Sequence, residues 1–235
     1  VTTTSRASPH RPVRHSARAP VIWRVIGFTG ELLAILGLVL GGFLAYQKWG
    51  KLREVEDTQV SLGQQLSESW QQEPPAGERT VPEGSPLTHL SIPRLGLRWT
   101  VVEGTDQRSL RAAPGHYRGS QLPGALGNFA VAAHRSPGLF WDLDKVQPGD
   151  EILIEDKSAR YVYLAERTSI TSPGDSAVLA AVPGEPGAAP SAAQVTLTTC
   201  NPKWDNYERL IVVGRLHSTA PKTPSSTAGA PGGTS

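Results

Sequence analysis

The sequence predicts one all-β domain of seven or eight short strands, carried behind a single N-terminal membrane-spanning helix. Three observations carry that expectation. Apolar runs between residues 86 and 217 are short, and Gly or Pro punctuates most of them. Helical signals in the same region are brief and confined to DQRSLRAA and LFWDLDKV. The one long apolar run lies outside it, at 25–46.

That run, VIGFTGELLAILGLVLGGFLAY, carries a single charge at Glu31. As a helix it is about 33 Å long, enough to cross a hydrocarbon core of about 30 Å. Trp23, Tyr46 and Trp49 bracket it where amphipathic rings prefer the headgroup level. Arg6, Arg11, Arg14, Arg18 and Arg24 precede it without an acid among them, and only Lys48, Lys51 and Arg53 follow closely. The positive-inside rule therefore puts residues 1–24 in the cytoplasm as a basic arm and everything after 46 outside the cell. A cleaved signal peptide would need a shorter apolar run and a small-x-small site, and no clean site precedes the polar stem. Glu31 lies toward the cytoplasmic end, where a carboxylate costs less than at the midplane; protonation, pairing with Arg24 or a partner helix would each accommodate it.

Residues 47–85 read as an extracellular stalk, polar, Gln-rich and either helical or loose over 54–72, and then the Pro/Gly/Glu-rich linker QQEPPAGERTVPEGSP, whose composition cannot bury a core. Residues 218–235 share that character and are expected to be a disordered tail. The folded domain is thus 86–217, long enough for a single core. Its strands are expected in LTHLSIP, LRWTVVEG, NFAVAAH, DEILIED, ARYVYLAERTSI, AAQVTLTTC and ERLIVVGRL, a pattern that fits a small closed or sandwiched β-structure. The connection 172–192 is long for a compact domain, and loops of that length are usually functional or mobile. Net charge is +2 and owes most of its sign to the cytoplasmic arm, so no basic field points to nucleic acid.

Cys200 is the sole cysteine. Outside the cell it has no disulfide partner and is open to oxidation. A buried small hydrophobe is the plain reading of a free cysteine. Its position argues for more: it ends an apolar strand and precedes the turn-forming NPKWDNYE, which puts the thiol at a strand mouth. A thiol nucleophile needs an imidazole or another base nearby. Topology removes His10 and His15; His89 lies inside an early strand, His116 follows a Pro-Gly turn, and His217 opens the tail. His134 ends its own strand before the turn RSPG and so mirrors Cys200, although a histidine capping a strand is also an ordinary surface residue. Acyl chemistry further needs a donor for negative charge on the tetrahedral oxygen. Arg209 begins the next strand and could fold back beside Cys200 in an antiparallel pair, or stand as an edge arginine in water as Arg215 could. Alternation does not decide between them, because both faces of LIVV are apolar.

The residues TLTTC, with Arg209 nine positions on and an upstream strand ending in Ala-His, resemble the sortase family. LFWDLDKVQPGDEI resembles the segment that follows the histidine there, and LSIPRLGL the first strand; the likeness runs from about Leu87 to Leu216 and extends to the signal anchor. It implies an eight-stranded sortase-type β-barrel with short helices, on Gram-positive cell surfaces. It implies further that Cys200 is the nucleophile, His134 the general acid and base, and Arg209 the oxyanion or substrate-positioning group, with Thr199 helping to line the peptide groove. A secreted protein bearing a C-terminal sorting signal would be cut between Thr and Gly and passed to a peptidoglycan amine. RVIGFTGELL, PGHYRG and GNFAVAAHR resemble most the class E sortases of actinobacteria, which implies Leu-Ala-x-Thr-Gly over Leu-Pro-x-Thr-Gly signals. The connection 172–192 would be the substrate-recognition wall. No cofactor is expected, and no metal, since nothing assigns the acidic residues that bind calcium in some other sortases. Two other readings remain: a cysteine peptidase or L,D-transpeptidase, disfavoured by the lack of a Ser-His-Gly-Cys or papain-like motif, and an anchored, non-enzymatic binding module with a structural cysteine.

Overall fold

The computed structural model describes residues 21–72 and 81–222. Most of the expected basic arm, residues 73–80 of the linker and the tail beyond 222 lie outside the described residues. Helix α1 runs over Val21–Gln71. The chain divides into two units, residues 1–47 and 48–235. In the first, Ile26–Leu44 is long and apolar enough to cross a membrane, with mean hydropathy 1.9 and no buried share. That matches a segment whose apolar residues point all round the helix rather than to one face.

The second unit holds a closed barrel of eight strands: β1 (Pro86–Ile92), β2 (Leu97–Glu103), β3 (Gly115–His116), β4 (Gly127–Ala132), β5 (Glu151–Glu155), β6 (Ala159–Thr171), β7 (Ala193–Asn201) and β8 (Glu208–Pro221). Their order around the barrel is β1-β2-β3-β4-β7-β8-β6-β5, and β5 pairs back onto β1. The β2–β3 and β4–β7 pairs are parallel and the others antiparallel. Short 3-10 turns occur at Ser109–Arg111 and Phe140–Lys145, where the two helical signals fell.

Strand β1 alternates as its sequence does, sending Leu90 and Ile92 into the core. Trp99, Phe129, Tyr163, Val195, Leu197 and Val212 complete the barrel interior. All six residues of β4 and the first seven of β7 are buried, so these strands are covered on both faces and their sequences need not alternate. Part of that cover is the connection 172–192, which Asn128 ties down by donating its amide to the carbonyls of Val178 and Ala180. Arg167 ties it again through the Pro183 carbonyl at 2.7 Å.

Two features depart from the sequence expectation. Strand β8 continues past 217, and Ser218 to Pro221 pair with Val162 to Ala159 of β6, so the tail begins later than its Ser/Pro-rich composition suggests. The Gln-rich stalk is the second half of α1 and is packed on the barrel. Val55 and Leu66 are buried, and Gln59 donates to the Ala112 carbonyl at 3.0 Å while its own side-chain oxygen accepts from the Thr100 N–H. Trp70 meets the His89 ring edge-on at 5.4 Å, and Lys222 caps the Trp70 face at 4.2 Å. Val55, Gln59, Leu66 and Trp70 follow one another at spacings of four, seven and four, one helix face laid along β1 and β2.

Candidate active site

Strand register assembles the site. Cys200 is the penultimate residue of β7, and its direct partner across the antiparallel pair with β8 is Arg209. Residues opposed in this way project to the same face of the sheet. Leu210 and Val212 point into the core, which leaves Arg209 and Ile211 on the face with Cys200. The ambiguity of LIVV is resolved by packing: Ile211 and Val213 are buried too, but outside the core cluster.

His134 arrives by the other neighbour of β7. Strands β4 and β7 run parallel with Ala132 beside Thr198. The Ala133 N–H donates to the Thr198 carbonyl at 3.1 Å, and the Thr199 hydroxyl donates to the Ala133 carbonyl at 2.8 Å, which carries the zipper one residue beyond β4. His134 therefore comes level with Cys200. Its carbonyl accepts from the Phe140 N–H at 3.2 Å, the first link to the 3-10 turn Phe140–Lys145. Gly138 completes the turn between them with φ +85, and a Cβ there would lie 3.1 Å from Val55 of α1. The segment bearing the imidazole is thus braced by the same helix face that packs on the barrel.

Two cavities flank the Cys200–Arg209 pair. Cys200 and His134, with Trp204, Asn206 and Arg111, line a cleft of about 1130 Å³ to which α1 contributes Glu54 and Val55. Arg209 lines a smaller one of about 180 Å³ with Tyr117, Thr198, Asp175 and Leu179, so the 172–192 connection forms its wall. The Arg209 guanidinium is held by donating through Nη1 to the carbonyls of Asn206 and Glu208 at 2.8 and 2.9 Å. Cys200 is half-buried and forms no disulfide.

Thr199, expected to line the groove, is buried, and its hydroxyl is spent on Ala133. Thr198, one step along the pleat, faces the smaller cavity instead and shares a hydroxyl–hydroxyl hydrogen bond with Tyr117 at 3.1 Å. Two other histidines are engaged elsewhere. His116 is buried with Nδ1 2.9 Å from the Glu103 carboxylate, Nε2 2.9 Å from the Ser120 hydroxyl, and its ring stacked on Phe129. His89 faces α1, where burial, with Arg98 nearby, lowers it to about 4.

Sequence reasoning passed over Arg135. Its side chain is almost fully buried and bonds to Cys200 and Asn201, and its visible signal was only its adjacency to His134. The turn after Cys200 is laced down by charge: Lys203 reaches Asp142 at 3.1 Å and Asp144 at 3.3 Å and sits over the Trp141 ring, itself edge-on to the exposed Trp204. Partial burial would raise the Asp142 carboxyl, but the Lys203 and Lys145 ammonium groups hold it below the usual carboxylate range. Among the described residues no three His, Cys, Asp or Glu side chains converge as a metal site would require.

The geometry sets a thiol, an imidazole and two guanidinium groups around one strand end. A family model for the sortase domain matches residues 90–217, more than half of the chain. The chain belongs to the sortase family. Sortases are cysteine transpeptidases, and the relatives of this one include class E sortases. Sortase SrtE2 of Streptomyces coelicolor is 30% identical over 224 residues, covering 89% of this chain and 86% of that protein. Sortase SrtE1 of the same organism is 29% identical over 207 residues and 83% of this chain, which spans 58% of that relative's length. Among solved sortases, the structure of sortase E from Streptomyces avermitilis superposes with a TM-score of 0.54 at 34% identity, over 61% of this chain and 97% of that one.

Proposed function

We propose that this sortase cleaves a C-terminal sorting signal of Leu-Ala-x-Thr-Gly or Leu-Pro-x-Thr-Gly type between Thr and Gly, and joins the new carboxyl terminus to a peptidoglycan amine. The observation that carries the reading is the register that opposes Cys200 to Arg209 while the β4–β7 zipper brings His134 level with the thiol. The Cys200 thiolate attacks the Thr carbonyl carbon, and the oxygen takes the negative charge of the tetrahedral intermediate beside the Arg209 guanidinium. His134 as imidazolium gives its proton to the departing Gly nitrogen, the C–N bond breaks, and a thioester to Cys200 remains. An acceptor amine then attacks that thioester, His134 takes its proton, and an amide forms as the thiolate leaves.

The smaller cavity, walled by the 172–192 connection and reached by Arg209, suits a side chain of the signal peptide; the larger cleft at Cys200 and His134 suits its scissile bond and the incoming amine. Residues 25–46 would anchor the enzyme in the cell membrane with the arginine-rich arm in the cytoplasm and residues 86–217 outside, so that enzyme, secreted substrate and lipid-proximal wall precursor share one surface.

Mixing the protein with a Leu-Ala-x-Thr-Gly or a Leu-Pro-x-Thr-Gly peptide and glycine or diaminopimelate tests the reaction by mass spectrometry. A ligated product cut after Thr is expected. Hydrolysis alone in the presence of amine would favour the peptidase reading, and no cleavage with either signal would leave the binding module.

A further inference from the structure

Arg135 follows His134 directly, yet its side chain is only 4% exposed. Its hydrogen bonds and ion pair are with the strand end that bears the thiol and with the turn beside it. Nη1 donates to the Cys200 carbonyl at 3.3 Å and to Asn201 Oδ1 at 2.6 Å, and Nη2 pairs with Asp144 Oδ1 at 3.1 Å. Asn201 in turn donates its amide to the Glu208 carboxylate at 2.7 Å, one residue before Arg209. Nε is buried with no partner. A guanidinium cannot shed its proton, and burying one with a donor unsatisfied is a cost that apolar packing of the same volume would avoid. Stability alone therefore does not account for an arginine here.

We propose that Arg135 is a positioning residue, which locks the Cys200 end of β7 to the segment carrying His134 and holds a permanent positive charge beside the nucleophile. The inference rests on the acyl-transfer reading above for its kinetic consequences, and on geometry alone for its effect on the thiol. The charged and titratable groups around Cys200 come from every neighbouring element: His134 and Arg135 from the segment after β4, Glu208 and Arg209 from β8, Asp205 from the turn after β7, Arg108 and Arg111 from the segment after β2, and Glu54 from α1. Of these, Arg135 is the one whose guanidinium bonds the backbone of Cys200 itself, so its charge cannot swing away. Asp144 stands behind it as a partial counterweight, shared with Lys203 at 3.3 Å.

The arrangement makes two predictions of opposite sign. Removing the Arg135 charge should make the thiolate harder to form, and removing the Asp144 charge should make it easier. The test is the pH dependence of Cys200 alkylation by iodoacetamide in the full chain in detergent, with kcat, KM and thermal unfolding for the same variants. For Arg135→Gln we expect the alkylation midpoint to rise by about one pH unit and kcat to fall about 10- to 100-fold with KM little changed, as for displaced catalytic groups. Arg135→Lys should keep the midpoint near wild type without recovering kcat, because an ammonium lacks the planar fork that spans two acceptors and a carboxylate. Asp144→Asn should move the midpoint down.

Midpoints unmoved in both Arg135→Gln and Asp144→Asn would overturn the proposal, as would a folded Arg135→Gln whose kcat stays within about twofold of wild type. Should Arg135→Gln fail to fold, Asp144→Asn, a change on a half-exposed carboxylate, carries the test. Alkylation needs no peptide, so shifted midpoints in a protein that cuts no sorting signal would uphold the charge placed by Arg135 and refute the acyl-transfer reading. Peptide cleavage with unmoved midpoints would do the reverse.

Discussion

Cys200 and Arg209 are direct partners across the antiparallel β7–β8 pair, the thiol on one strand end and the guanidinium on the start of the next. Eight residues separate them in sequence, and the turn they form is pinned by Lys203 to Asp142 and Asp144. The pair is therefore set by the barrel and by the turn together, and its chemistry should be sensitive to side-chain shape as well as to charge.

Arg209→Lys keeps the charge and loses the planar fork that donates to the Asn206 and Glu208 carbonyls. We expect peptide cleavage to fall by about 10²- to 10³-fold, the usual loss for an oxyanion donor. The thermal midpoint should change little, since an ammonium can still donate to the Asn206 or Glu208 carbonyl. Steady-state kinetics alongside a melting curve checks both; an unchanged rate would make Arg209 an edge residue.

Leu66 is buried on the face of α1 that packs on the barrel, in a stretch its sequence presents as polar stalk. Leu66→Ala should destabilise the protein by about 2–5 kcal/mol in urea unfolding, the range for a leucine truncated in a core. Deleting residues 1–80 should cost more than deleting 1–47, because the first removes Val55, Gln59 and Leu66 together. Equal stability of the two truncations would show that the helix face contributes nothing.

That helix face marks where sequence reasoning ran out. Leu52, Val55, Leu66 and Trp70 recur at helical spacing, but Gln and Ser between them lower the average hydropathy, and Gln59 does its work through backbone carbonyls that only the barrel supplies. Barrel strands were legible because β1 alternates and because β4 and β7 are short runs rich in Ala, Val, Leu, Phe and Thr that end at polar turns. Strand β3 is only two residues long, too short for any period to show. The ends of β4 and β7 exposed His134 and Cys200 as candidates, since each closes its run. Which threonine faces the groove depends on the register between β4 and β7, a relation of distant segments; Thr199 is turned inward by its bond to Ala133 and Thr198 faces the cavity with Tyr117. Arg135 was hidden for the same reason, because its partners on β7, Cys200 and Asn201, lie more than sixty residues away.

His89 gives the helix contact a pH dependence. Burial, with Arg98 beside it, lowers its pKa from 6.5 to about 4. Between those values the unfolded chain binds a proton that the folded one refuses, so stability is full above about 6.5 and is lost as pH falls toward 4. Melting curves of wild type and His89→Gln across that window should converge as pH falls, the wild type losing more. Parallel curves would mean that His89 titrates alike in both states.

Attack by Cys200 is tested most directly by trapping the thioester. The full chain, mixed with a Leu-Ala-x-Thr-Gly peptide without added amine and quenched in acid, is read by intact-mass and tandem mass spectrometry. We expect an adduct equal to the peptide truncated after Thr, localised to Cys200, discharged by glycine, and absent from Cys200→Ala. Peptide cut after Thr by Cys200→Ala at a rate near wild type, or an adduct on any other residue, would contradict the assignment of Cys200 as the nucleophile.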